Sequence, residues 1–206
     1  MKVLLINGSP HEKGCTYTAL SLIAGELKAQ GIETEILHVG GQPVGGCIGC
    51  GGCRSGNGCV FGGVVNEAIE KAKTADGFVF GSPVHYASAS GNMTSFMDRL
   101  SYAGGKYLAY KPAAICCSAR RAGTTSALDQ LVKYPEFFHM PLVSGSYWPM
   151  VHGSNPEQVL QDAEGCAVMQ ELGRNMAWLL RCIEAGKAAG IQHPENPRRP
   201  MTNFIR

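Results

Sequence analysis

The stretch from Lys2 to Gln30 constrains the fold more than any other. KVLLIN is a short apolar run, GSPHEKGC a loop of small and polar residues, and TYTALSLIAGELKAQ a helical pattern. Four consecutive apolar residues, Val3 to Ile6, suit a strand covered on both faces. In the segment after the loop, Leu20, Ile23, Ala24 and Leu27 recur at helical spacing. A strand that runs at once into a helix returns to its sheet as a parallel neighbour, so this opening commits the chain to a layered α/β arrangement.

The same alternation continues. Strands are expected at Lys2–Asn7, Thr34–Val39, Gly77–Phe80, Ala113–Cys117 and Pro141–Ser144. Helices are expected at Thr16–Gln30, Val64–Thr74, Asn92–Tyr102 and Thr125–Lys133, with one long helix from Pro156 to Gly186. The long helix shows an apolar stripe of Val159, Leu160, Ala163, Met169, Leu172, Met176, Leu179 and Ile183. Five strands between helices predict a five-stranded parallel sheet with helices on both faces. Residues 1–190 form the domain, and 191–206 an extended tail punctuated by Pro194, Pro197 and Pro200. At 206 residues and 45% hydrophobic content the chain is long and apolar enough for one well-filled core.

Ligands of such sheets sit beyond the carboxyl ends of the strands. Three loops are expected to meet there. The first holds Ser9, His11, Gly14, Cys15 and Thr16 at a helix start, where unpaired backbone N–H groups and the helix dipole favour an anion such as phosphate. An ordinary βα turn would also contain Gly and Ser; the loop lacks both the G-x-G-x-x-G and the G-x-x-x-x-G-K-[ST] patterns. The second, GSPVHYASASGNM, offers Pro83, Val84, His85 and Tyr86 as an edge of ring and backbone. The third, SARRAGTTS, offers Ser118, Arg120 and Gly123, with Gly123 suited to close backbone approach.

The loop from Gly40 to Gly63 carries a different signal. Cys47, Cys50, Cys53 and Cys59 stand as C-x2-C-x2-C-x5-C among glycines. Four thiolates in one compact, Gly-rich loop can wrap a [4Fe–4S] cluster. Free thiols and a zinc site remain open readings, although zinc usually takes two separated Cys pairs. Cys116 and Cys117 fall in an expected core strand and read as inert; Cys166 and Cys182 are expected to pack on the long helix.

GSPHEKGCT, SPVHYASASGNMTSFMDR and SARRAGTT together resemble the NADPH-dependent FMN reductases of the flavodoxin-like superfamily, over nearly the whole chain. The four-Cys spacing resembles the iron–sulfur flavoprotein branch. Two positions depart from the family pattern: His85 stands where Tyr is usual, and Thr94 where Lys is common. After the last cysteine, Gly62–Gly63 replaces the usual acidic pair. The resemblance implies a flavodoxin-like three-layer sandwich with strand order 2-1-3-4-5. It implies FMN as cofactor, its phosphate on Ser9, His11, Gly14, Cys15 and Thr16, and its ring system against Pro83, Val84, His85 and Tyr86. Ser118, Arg120 and Gly123 would border the other edge. The flavin carries the chemistry, so no catalytic protein residue is assigned. His85 and Tyr86 read equally as contacts for a second substrate and as ring packing.

The implied activity is electron transfer from NAD(P)H to a small acceptor such as a quinone, a nitro or azo compound, or free flavin. The alternative is an electron carrier with a [4Fe–4S] cluster at Cys47, Cys50, Cys53 and Cys59. A carrier usually shows a strong acidic surface, and a formal net charge of +2 argues against one. The charge balance also lacks the basic runs of a nucleic-acid binder; Arg120–Arg121 and Arg198–Arg199 are only pairs. Without a leader-like apolar segment or a membrane-length one, the chain reads as cytoplasmic, where nine cysteines point away from disulfides. The aromatic segment FFHMPLVSGSYWPMVHG and the tail around Asn203, Phe204 and Ile205 suggest a homodimer or homotetramer.

Overall fold

The computed structural model describes residues 1–196 and 200–204; Pro197, Arg198, Arg199 and Ile205 lie outside them. The elements, in chain order, are β1 (Lys2–Asn7), α1 (Cys15–Ala29), β2 (Glu33–His38), α2 (Val64–Thr74), β3 (Gly77–His85) and β4 (Ser88–Ala89). Then come α3 (Gly91–Gly104), β5 (Ala113–Ala119), α4 (Thr124–Phe137), β6 (Met150–His152), α5 (Pro156–Val159) and α6 (Ala163–Ala188). The sheet order is β2-β1-β3-β5-β6, with β4 a short hairpin partner of β3. All pairings on the main path are parallel. With the hairpin set aside, this is the expected order of five parallel strands.

Alternation along the strands divides the core into two layers. Val3 and Leu5 of β1, with Val79, Ala114 and Cys116, pack against α1 and α6. Leu4 and Ile6, with Phe78, Phe80, Ile115 and Cys117, pack against α2, α3 and α4. Continuous burial of β1 and β5 is what a parallel sheet covered on both faces requires. Burial pushes both core thiols up, Cys117 to about 12, so neither is nucleophilic near neutral pH.

The structure departs from the sequence expectations at several points. Pro141–Ser144 forms no strand; only a single bridge joins Leu142 to Ala113, and the fifth strand is Met150–His152. The expected long helix is two. Asn155 caps α5 through the N–H of Gln158, and Asp162 starts α6 by accepting from the N–H of Gly165. Leu160, between them, is exposed rather than part of the stripe, and Cys182 is exposed rather than packed. The third strand also runs further, because Ser82 and Pro83 pair in register with Cys117 and Ser118. Its continuation is a two-residue turn in which Tyr86 and Ala87 have φ 48° and 59°.

Candidate functional site

The carboxyl ends of β1, β3, β5 and β6 enclose a cleft of about 300 Å³. It is lined by Ser9, His11, Cys15 and Thr16 from the first loop, Pro83, Val84 and His85 from the second, and Ser118, Ala119 and Arg120 from the third. Gly153 and Ser154, just beyond β6, complete the wall. The floor is polar yet dry: Ser9, Thr16 and Ser118 are all at most 3% exposed. Thr16 Oγ1 and Ser118 Oγ share a hydrogen bond of 2.8 Å, which ties the first loop to the third. Ser9 Oγ accepts from the N–H of His11 at 3.1 Å, and Asn7 Nδ2 donates to the Glu12 carbonyl at 3.0 Å. The loop is thus braced from within before any ligand arrives.

Gly14 precedes α1 without a side-chain cap, and no acid occupies the first turn. The N–H groups of Cys15, Thr16 and Tyr17 have no intrahelical acceptor, and the cleft opens on that end. Cys15 sits half-buried with Sγ 3.5 Å from the Gly153 carbonyl, and burial holds its thiol above the usual range. The β3–β4 turn closes the other side. Gly123 caps α4 at φ 94°, and a Cβ there would come within 2.5 Å of Ala87 Cα and 2.9 Å of Val84 Cγ1. Only glycine lets the third loop nest against the second. Tyr86 projects from the turn fully exposed.

The second candidate centre is the cysteine loop. Cys47, Cys50, Cys53 and Cys59 all line one pocket of about 290 Å³, together with Arg99, Phe61 and Tyr102. A single 3₁₀ turn, Gly52–Ser55, interrupts the loop, bracketed by Gly51 and Gly56 at φ 72° and 85°. Among the described residues no three His, Cys, Asp or Glu side chains converge on a point for one ion. Asn66 of α2 anchors the far end, donating to the Cys59 carbonyl at 3.0 Å and accepting from its N–H at 2.8 Å. A hollow of about 700 Å³ lies between the two centres, with Pro10 and Glu12 on one side and Phe61, Gly62 and Arg99 on the other. Helix α3 serves both. Ser90 at its start donates to the Gly8 carbonyl beside the cleft, and Arg99, further along, reaches Cys59.

The NADPH-dependent FMN reductase family matches residues 1–155. The chain belongs to that family. An iron–sulfur flavoprotein of Archaeoglobus fulgidus is 30% identical over 197 residues, covering 91% of this chain and 96% of its own. An iron–sulfur flavoprotein of Methanocaldococcus jannaschii is 28% identical over 192 residues, covering 89% of this chain and 100% of its own. Among solved structures, a flavodoxin from the domain Archaea superposes with TM-score 0.61 at 14% identity, over 88% of this chain and 99% of the other. The apo form of an NADH:FMN oxidoreductase does so with TM-score 0.61 at 19% identity, over 88% and 89%. These last two likenesses carry the flavodoxin-like fold; the family carries oxidoreductase chemistry.

Most of the residues expected at the cofactor site meet in the cleft: Ser9, His11, Cys15, Thr16, Pro83, Val84, His85, Ser118 and Arg120. Gly14 and Gly123 shape it from behind as helix caps. Tyr86 is not among the lining residues. Gly153 and Ser154 follow β6, so an expected fifth strand at Pro141–Ser144 does not bring them to the cleft. Their signal was Pro149 and Gly153 bracketing the apolar pair Met150–Val151. Among the described residues no helix is long and apolar enough to cross a membrane.

Proposed function

We propose that the chain is an FMN-dependent oxidoreductase that passes electrons from NAD(P)H to a small acceptor, a quinone, a nitro or azo compound or free flavin. The observation that carries this reading is the cleft itself: an uncapped helix start, buried hydroxyls and two sheet-anchored loops that flank a hollow occupy one place. The donor set fits FMN. The N–H groups of Cys15, Thr16 and Tyr17 would hold the phosphate, aided by Ser9 and His11, while the Thr16 hydroxyl, engaged with Ser118, orients the loop. Pro83, Val84 and His85 would border the ring system on one side, and Ser118, Arg120 and Gly123 on the other. FMN, when bound, supplies the hydride and single-electron chemistry. The protein's own contribution is orientation of the phosphate and the ring over a floor of buried hydroxyls. His85 and exposed Tyr86 would meet the second substrate.

The cysteine loop supports a second component. Four cysteines lining one pocket suit a [4Fe–4S] cluster, in which each iron takes one cysteine, and their spacing is not the two separated Cys pairs usual for zinc. Bound there, the cluster supplies one-electron transfer. Cys47, Cys50, Cys53 and Cys59 are its proposed ligands, which would make the chain an iron–sulfur flavoprotein like its named relatives. Exposed Leu142, Tyr147 and Trp148 line one hollow, an apolar area that a second copy would cover, giving a homodimer or a tetramer of dimers.

The test is anaerobic purification followed by visible spectroscopy. Flavin bands that bleach on NAD(P)H addition and return with quinone are expected. Protein that carries no flavin after reconstitution with FMN would remove the reading. Sedimentation at micromolar concentration checks the assembly: a strict monomer contradicts it.

A further inference from the structure

The least expected side chain in the molecule is Arg99. It lies on α3, 6% exposed, and its guanidinium has no carboxylate oxygen within salt-bridge distance among the described residues. Its donors go to neutral groups. Nη1 donates to the Gly45 carbonyl at 3.4 Å, Nη2 to the Gly62 carbonyl at 3.0 Å, and Nε to Cys59 Sγ at 3.2 Å. The plane lies over the Phe61 ring, 5.4 Å from its centroid. Those contacts come from both flanks of the cysteine loop and from a residue of the pocket wall.

A buried cation without an anion is costly, and proteins keep one where a negative charge will be supplied. A neutral thiol is a weak acceptor, whereas the sulfur of a metal-bound thiolate is a charged one and takes a much stronger hydrogen bond. The pocket that Arg99 lines is the one that all four cysteines line. We propose that Arg99 is the fixed counter-charge for an anionic metal–thiolate group in this loop, and that its Nε–H bond to Cys59 sets that group's reduction potential. The proposal rests on the cluster reading above. It makes Arg99 a positioning and tuning residue, not a ligand.

The consequence is directional. A thiolate-ligated [4Fe–4S] cluster is negative, and adding one electron makes it more so. A fixed positive charge therefore stabilises the reduced form more than the oxidised one and raises the potential. Replacing Arg99 with an uncharged residue should make the cluster harder to reduce. Because Arg99 also straps Gly45 to Gly62, loading the loop should stabilise the wild-type fold more than that of a variant without the charge.

The experiment compares wild type, Arg99→Lys and Arg99→Met, each reconstituted anaerobically with iron and sulfide. Iron content, the one-electron cluster potential in a dithionite titration, and the melting temperature with and without the cluster are measured. At equal iron, Arg99→Met should shift the oxidised-to-reduced equilibrium at least tenfold toward oxidised, about 59 mV, and Arg99→Lys should recover much of that shift. Cluster loading should raise the melting temperature less in Arg99→Met than in wild type, a difference that survives even if the variant is less stable overall. A purely structural Arg99 would lower loaded and metal-free forms alike and leave the potential unmoved, which overturns the proposal. Wild-type protein that takes up no iron overturns the cluster reading, and this proposal with it. Iron bound with an unchanged potential and equal loading stabilisation overturns the role of Arg99 alone.

Discussion

The cleft and the cysteine loop face the same edge of the sheet but are built in opposite ways. The cleft hangs on strand ends. Its walls are fixed by register: Ser82 and Pro83 lie opposite Cys117 and Ser118, and Thr16 is bonded to Ser118 across the gap. The cysteine loop hangs on nothing regular. Between β2 and α2 it has one short 3₁₀ turn, exposed Cys47 and Cys50, and glycines that let it fold back on itself. Its firm points are borrowed: Asn66 from α2 and Arg99 from α3. A site made by the sheet is organised before its ligand binds. A site made by a glycine-rich loop needs its ligand to finish it, as metal binding and local folding are coupled.

That contrast has breakable consequences. The largest concerns Cys59→Ser. Removing one of the four proposed ligands should take iron from about four per chain to near background, yet leave FMN content nearly unchanged, since no part of the cysteine loop lines the cleft. Metal analysis and flavin quantitation on one sample check it; flavin lost in parallel with iron would merge the two sites into one. Next is Gly123→Val. A side chain there collides with Ala87 and Val84 and is strained at φ 94°, at a cost of roughly 1–3 kcal/mol. FMN affinity should fall severalfold or more while iron uptake holds, measured by flavin fluorescence and iron content.

Thr16→Glu should weaken FMN by about 1.5–3 kcal/mol, because a carboxylate there repels the phosphate and the bond that ties Thr16 to Ser118 is lost. Retention of flavin through gel filtration at wild-type levels would disprove the phosphate assignment. The smallest effect lies away from both sites. Lys2 and Lys71 beside Glu35 hold its carboxyl below the usual carboxylate range. With the folded value depressed, its stabilisation is full above the unfolded carboxylate range, near 4.3, and is lost as pH falls through the folded value. The three side chains are 25–30% exposed, so solvent screens them and Glu35→Gln should flatten the acid limb of a melting-temperature profile only slightly.

The alternation of strands and helices was legible because two periodicities carry it, and β1 and α2 are found at the expected residues. The fifth strand was not legible. Pro141–Ser144 and Met150–His152 are both short and apolar, and which one pairs with β5 depends on register across the sheet, which no local pattern encodes. That one misplacement hid Gly153 and Ser154. The break before α6 was visible in principle, since Asp162 two residues after Leu160 is a capping residue within a helical run. The cleft residues read well because the loops follow strand ends directly. Arg99 read only as part of a helix motif. Its partners lie in a loop without periodicity, so its contact with Cys59 appears only in three dimensions.

The central claim is that the cleft holds FMN on its own scaffold, and titration of flavin-free protein with FMN tests it most directly. Protein stripped of metal by chelation, and the same protein after anaerobic reconstitution with iron and sulfide, are titrated while flavin fluorescence is followed. The account predicts one FMN per chain in both forms, with dissociation constants within a few-fold of each other. Binding that appears only after iron is restored, or no saturable binding in either form, would contradict it.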